Sequence, residues 1–221
     1  MDDKCVTISK IISIEWEMFT SVNEGLEPAS CQEDHKTFTG MRTAQYNAWS
    51  LQAVLSYLDD LEEAKKAGRN LIEEKYIQMM LRTEPSQHKA LLARIKLPSE
   101  TVRESANNIS CRLLEQTRAL YSDYPFIARR GRPLKSNQDY LFTSIETYQF
   151  AELLTYSART LTALLEHIVT LEQNGVSLAR LILENTVKIY GYDSLDDAEI
   201  AAKRIGDSLP VQESSCHSCE G

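Results

Sequence analysis

Glycine and proline are scarce in this chain, with 8 and 6 copies in 221 residues, about 6 % together against roughly 12 % in average usage. Sheet-rich folds spend these residues on turns, so their scarcity points to helices. Long apolar runs are missing as well. None approaches the ~20 residues that a membrane helix requires, and Met1 to Thr20 carries acidic residues where a secretion signal has a basic region. A cytoplasmic location is the default expectation, with no membrane partner. Positive charge is in the minority, 24 Lys and Arg against 32 Asp and Glu, giving a net charge of −8. That excludes a general attraction to nucleic-acid phosphate or anionic lipid, and a nucleic-acid partner is not expected. Cysteine is too sparse for a disulfide framework. Cys5, Cys31, Cys111, Cys216 and Cys219 are scattered and odd in number, as reduced thiols would be.

What remains is a chain with 43 % apolar and 25 % charged residues, enough for a packed core. Nearly all glycines and prolines fall between stretches of helical periodicity, Gly40 being the exception. The gaps divide the chain into helices over about Val6–Val22, Glu33–Ala67, Ser86–Ile95, Ser99–Ser122, Asp139–Gln173, Leu178–Ile189 and Leu195–Arg204, and after Gly68 the Arg69–Asn70 step either continues the second helix with a kink or starts a third that lasts to about Arg82. Tyr124–Gln138 reads as an extended loop. Ser99 and Ser194 suit N-caps, and Asn174–Gly175 suits a C-cap. The expected fold is an all-α, single-domain helical bundle of about six to eight helices with two long central ones. It spans residues 1–206 and precedes a flexible Cys/Ser-rich tail at 207–221.

An ionisable residue on the apolar stripe of a helix is informative because burying an unpaired charge is costly. The first helix has the stripe Ile8, Ile11, Glu15, Phe19, Val22. The third places Lys75 and Tyr76 beside Met79 and Met80. In the second, Arg42, Gln45, Trp49, Gln52 and Ser56 form a polar and aromatic ridge flanking Leu51, Leu55 and Leu58. The long helix carries Leu141, Ile145, Tyr148, Glu152 and Tyr156 on one face, with the carboxylate between two phenols at i±4. Glu15, Arg42, Lys75, Glu152 and several tyrosines are thus expected to meet at the bundle centre. A network serving only structure leaves no cavity there, whereas a ligand pocket leaves polar tips facing a void.

Several motifs are absent. No histidine has a glutamate three residues before it, which excludes the di-iron pattern, and neither a metal nor a cofactor is expected. There is no P-loop, no G-x-G-x-x-G and no G-x-S-x-G. Cys216-x-x-Cys219 is a single pair, short of a zinc site. Arg82 and His88 have a spacing similar to the Arg/His motif of helical toxin ribonucleases. The one dense positive patch is Arg129-Arg130-Gly131-Arg132-Pro133-Leu134-Lys135. Its core resembles a minor-groove AT-hook, but in an acidic folded chain it fits better as an anion-binding loop over the bundle mouth, with Arg132 offering bidentate hydrogen bonds.

The segments Glu-Trp-Glu-Met-Phe (15–19), Ala-Ser-Cys-Gln-Glu-Asp (29–34), Gly-Arg-Asn-Leu (68–71), Glu-Lys-Tyr (74–76), Gly-Arg-Pro-Leu (131–134), Thr-Ser-Ile-Glu-Thr-Tyr (143–148) and Thr-Tyr-Ser (155–157) resemble a microbial family known only as a domain of unknown function. The resemblance covers roughly residues 10 to 200. It implies one helical domain, sometimes accompanied by nucleotidyltransferase-like domains, with motifs at Glu15, Cys31, Arg42, Gln45, Trp49, Arg69, Lys75, Tyr76, Arg132, Glu146, Tyr148 and Tyr156.

The leading expectation is a metal-independent enzyme acting on a small anionic metabolite, by lyase, isomerase or group-transfer chemistry. Glu15 or Glu152 would be the general base and Tyr148 or Tyr76 the general acid. Arg42, Arg69 and Arg132 would clamp the substrate beside Gln45, Trp49 and Tyr156. Lys75, if its pKa is depressed, could form a Schiff base. The alternative is a non-catalytic interaction or regulatory module docking on a nucleotidyltransferase-like partner, and a helical ribonuclease is a minor third.

Overall fold

A computed structural model describes residues 3–22, 34–83, 88–135 and 143–208. Among the described residues the chain is entirely helical: α1 (Asp3–Thr20), α2 (His35–Ala48), α3 (Leu51–Lys66), α4 (Leu71–Thr83), α5 (His88–Leu92), α6 (Glu100–Asp123), α7 (Pro125–Ala128), α8 (Ile145–Leu153), α9 (Ala158–Gln173), α10 (Leu178–Ile189) and α11 (Leu195–Ser208). No described helix is long and apolar enough to cross a membrane. Cys31, Leu141 and the Cys216/Cys219 tail lie outside the described residues.

Eleven helices stand among the described residues where six to eight were expected, because both long central helices are broken and the Tyr124–Gln138 segment contains the short α7. Serines make the breaks. Ser50 accepts a hydrogen bond from Ala53 N, and Ser157 accepts one from Thr160 N, so each starts a new helix as an N-cap. A break also frees backbone groups that need partners. At the end of α2, Lys4 Nζ donates to the Asn47 carbonyl at 2.9 Å and the Trp49 carbonyl at 2.6 Å. The His167 ring donates Nε2–H to the Ala48 carbonyl at 2.9 Å. At the start of α9, the Asp60 carboxylate accepts from Ser157 N at 2.9 Å and from the Thr160 hydroxyl at 2.7 Å. Both breaks are therefore held by side chains from distant helices.

The first break resets the phase of α3. Leu51 and Leu55, read as a buried row on a continuous helix, are exposed, and Gln52 is exposed as well. The buried stripe is instead Ala53, Val54, Tyr57, Leu61 and Ala64.

Packing sorts the helices into two groups. α1 lies against α2, α3 and α4, while α6 lies against α8, α9 and α10. The groups meet where α2 packs on α10, α3 on α9 and α4 on α8. Gly40 lies at the first of these seams, where a Cβ would come within 2.9 Å of Ile189 Cγ2, so a larger residue there requires the Ile189 side chain to shift. Gly68 and Gly175 have φ of 68° and 69° after α3 and α9, which is the left-handed conformation of helix C-terminal glycines. One apolar cluster runs through both groups. A smaller one joins Leu120 and Tyr124 to Val187, Leu195 and Ala198, seating α7 and α11 at one end.

Candidate functional site

The flagged residues of four helices, α1, α2, α4 and α8, converge as expected. Glu15 of α1 is fully buried. Its Oε2 accepts Nε–H of Arg42 at 2.8 Å, its Oε1 accepts Arg42 Nη2–H, and the phenols of Tyr46 and Tyr57 donate to the same oxygen at 2.7 and 2.8 Å. Arg42 turns its other terminal nitrogen to Glu152 Oε1 at 3.0 Å, and also donates to Gln45 Oε1 at 3.0 Å. Glu152 Oε1 further accepts from Gln45 Nε2 at 3.1 Å and from the Tyr156 hydroxyl at 2.8 Å, while Oε2 accepts from Lys75 Nζ at 2.8 Å. Two carboxylates and two cations alternate, so the network is neutral, and no fully buried side-chain polar atom among the described residues lacks a partner.

Glu152, Lys75 and Arg42 are held in their charged forms. Burial pushes the Glu152 carboxyl up, but Arg42 and Lys75 outweigh it and hold the group well below the usual carboxylate range. Burial would lower Lys75, yet Glu152 more than offsets this, and the ammonium lies above its ordinary value. The depressed Lys75 that Schiff-base chemistry needs is therefore not what this environment makes. Arg42 is likewise raised well above its ordinary value, burial being outweighed by Glu15 and Glu152. Burial raises the phenols of Tyr46, Tyr57 and Tyr156 well above theirs, with the Glu15 or Glu152 charge adding to it.

On one side the network borders a cavity of about 880 Å³ between α2, α6, α8 and α10, flanked by α7 and α11. Gln45, Trp49, Tyr148, Glu152 and Tyr156 line it. Ile145, Tyr148 and Glu152 share that wall by their helical spacing on α8, and Tyr156 joins it from beyond the end of that helix. The helix break beyond Leu153 carries Tyr156 to within 5.9 Å of Trp49, ring centre to ring centre, and 4.7 Å of Tyr57. Tyr148 presents its ring to two cations, Lys75 Nζ 3.7 Å from its centre and the Arg132 guanidinium 4.9 Å away.

The other expected residues stand apart from the cavity. Glu15, Arg42 and Lys75 sit behind its wall, within the network. Tyr76 is half-buried against the apolar core. Arg69 is paired with Glu74 through two hydrogen bonds, at 2.8 and 2.6 Å, in a separate cleft of about 320 Å³. Arg132 donates to the Thr143 carbonyl at 3.1 Å. Arg82 lies over the Phe150 ring, and the His88 side chain falls outside the described residues. Among the described residues, no group of three His, Cys, Asp or Glu side chains could hold a metal.

Tyr46 and Tyr57 were not among the expected site residues, and Arg130 was expected only as part of the basic loop. Tyr46 was within reach as the i+4 neighbour of Arg42. Tyr57 was hidden by the unrecognised break before α3. Arg130 lines the cavity.

Residues 6–200 match the sequence family described as Protein of unknown function (DUF4125). The chain belongs to that family. The matched span takes in every residue of the network and of the cavity wall up to Ala198. No curated protein and no solved structure matches the chain.

Proposed function

We propose that this DUF4125 protein binds a small metabolite in the cavity between α2, α6, α8 and α10, using Gln45, Tyr148, Glu152 and Tyr156 as the polar wall. The Glu15–Arg42–Glu152–Lys75 network is then the scaffold that fixes that wall. The observation that carries the reading is that the cavity ends on the network at Glu152. Its volume falls in the range of small-molecule sites, roughly 300–1,000 Å³, and a mostly apolar lining with a few convergent polar groups is their usual composition. A single domain is part of the proposal, because the cavity draws its lining from α2 through α11.

Binding is favoured over the acid–base chemistry expected from sequence. Proton transfer at neutral pH is best served by groups with pKa values near 7. Glu152 is held ionised with four donors on it, Lys75 is held protonated, and Glu15 is fully buried with four hydrogen bonds. Tyr148 keeps a hydroxyl with no partner among the described residues, which suits it to meet a ligand.

One observation favours the non-catalytic docking module: the network is completely paired. That reading also calls for a packed centre, and the cavity weighs against it.

A thermal-shift screen of metabolites tests the proposal. A ligand at a hundred times its Kd stabilises a protein by about 2.7 kcal/mol, which for this size raises Tm by roughly 5–10 °C. Ala198→Leu, which adds side chain to the cavity lining, should abolish the shift. A library of several hundred compounds without a single hit would contradict the proposal.

A further inference from the structure

We propose that the ligand of this cavity is an anionic amphiphile, an aliphatic body bearing one acidic head group, carboxylate or phosphate monoester, with the head held at Arg130. This rests on the reading of the cavity as a ligand site and adds the chemical class.

Charge on the wall decides the sign. Among the described residues lining the cavity, only Glu152 and Arg130 are ionised at neutral pH. The Glu152 charge is cancelled by Arg42 and Lys75, at 3.0 and 2.8 Å. Arg130 is exposed and forms no ion pair among the described residues. The uncompensated charge on the wall is therefore positive, in a chain whose net charge is −8. Arg132, two residues on, adds a second guanidinium beside Tyr148, whose ring belongs to the same wall.

The place of these arginines is set by the fold. The Glu199 carboxylate of α11 accepts the backbone N–H groups of Phe126 and Ile127, both at 2.8 Å, which fastens α7 immediately before Arg129 to Arg132. At Gly131 a Cβ would come within 2.8 Å of the Tyr121 hydroxyl, so the loop lies close against α6.

The rest of the wall decides the body. Leu113, Leu120, Ile127, Leu164, Leu178 and Ile182 supply much of it. A nucleotide or sugar phosphate would bury hydroxyls and ring nitrogens against these side chains without partners, which is costly. An aliphatic body loses nothing there and gains affinity with every methylene. An amine head group would meet Arg130 with like charge.

Titration calorimetry with octanoate, decanoate, dodecanoate, dodecyl phosphate and dodecanol, all below their micellar concentrations, tests the class. Each added methylene should tighten binding about fourfold. Dodecanoate or dodecyl phosphate should bind at least about tenfold more tightly than dodecanol, the tighter acid naming the head group. Arg130→Gln should bring that acid down to the level of dodecanol, and Arg130→Lys should keep most of the preference. Dodecanol binding as tightly as the acids, or an acid preference untouched in Arg130→Gln, would overturn the anionic class while leaving the cavity as a binding site. Failure of acids and alcohol alike would overturn the cavity reading itself.

Discussion

Lys75 Nζ lies 2.8 Å from Glu152 Oε2 and 3.7 Å from the centre of the Tyr148 ring, with Lys75 and Glu152 both buried. This contact ties the charged interior to the cavity wall, since Lys75 stands behind the wall and both of its neighbours are part of it.

Breaking that pair should be expensive. Removing one member of a buried ion pair leaves an uncompensated charge and costs roughly 3–5 kcal/mol. Glu152→Gln strands Lys75 and weakens the second contact of Arg42, so a loss of that size is expected in urea unfolding. Glu152→Gln combined with Lys75→Met removes both charges. The double variant should lose less than the sum of the two single losses, by about 1–3 kcal/mol.

Stability should depend on pH with a definite sign on each side. The carboxyl of Glu152 is depressed in the folded state, so its contribution is fully present above the ordinary value of 4.5 and is lost as pH falls below it. The phenols of Tyr46, Tyr57 and Tyr156 are raised, so theirs is present below the ordinary value of 10.0 and is lost as pH rises through and beyond it. Lys75 is raised above 10.5 and acts in the same direction. The Tm should form a plateau from about pH 5.5 to about pH 9.5 and fall on both sides. In Glu152→Gln the acid side of the profile should be shallower than in the parent.

Two tyrosines allow scaffold and wall to be separated. Tyr57→Phe removes a donor from Glu15 and should cost about 1.5–3 kcal/mol of stability, as expected for a hydrogen bond to a charged group. Glu15 does not line the cavity, so ligand affinity per folded molecule should be unchanged. Tyr156→Phe removes a donor from Glu152, which does line it, and should lower both stability and affinity. Urea unfolding and ligand titration on the same preparations compare the two.

The helix breaks make a prediction of their own. Ser157→Ala should cost about 1 kcal/mol through the lost cap. Asp60→Ala should cost more, because the Ser157 N–H and the buried Thr160 hydroxyl both lose their acceptor. The difference should appear in the urea midpoint with little change in slope.

The same breaks mark where the sequence stopped being legible. Glu15, Lys75 and Glu152 could be placed in the interior because each interrupts an apolar stripe within one helix, and the 3.6-residue period carries that information locally. Ser50 and Ser157 could not be told from serines on the polar face of a continuous helix. What turns each into a cap is a set of partners far away in the chain, Lys4 and His167 for one and Asp60 for the other. With no break expected between Glu33 and Ala67, Leu51 and Leu55 were set on the aliphatic row and Tyr57 went unseen. The arginines show a second limit. Periodicity and resemblance singled out Arg42, Arg69 and Arg132, each of which has partners in the fold, whereas Arg130, with no ion pair among the described residues, could be distinguished only once the charges around the cavity were in place.

Trp49 lines the same space as Glu152, so its indole can report a ligand bound there. The chain has two tryptophans, so Trp16→Phe leaves Trp49 as the only indole. Its emission should change saturably as a ligand found in the thermal-shift screen is added, and Ala198→Leu in the same background should abolish the change. An emission that stays constant, or that changes equally with the cavity filled, would contradict the account.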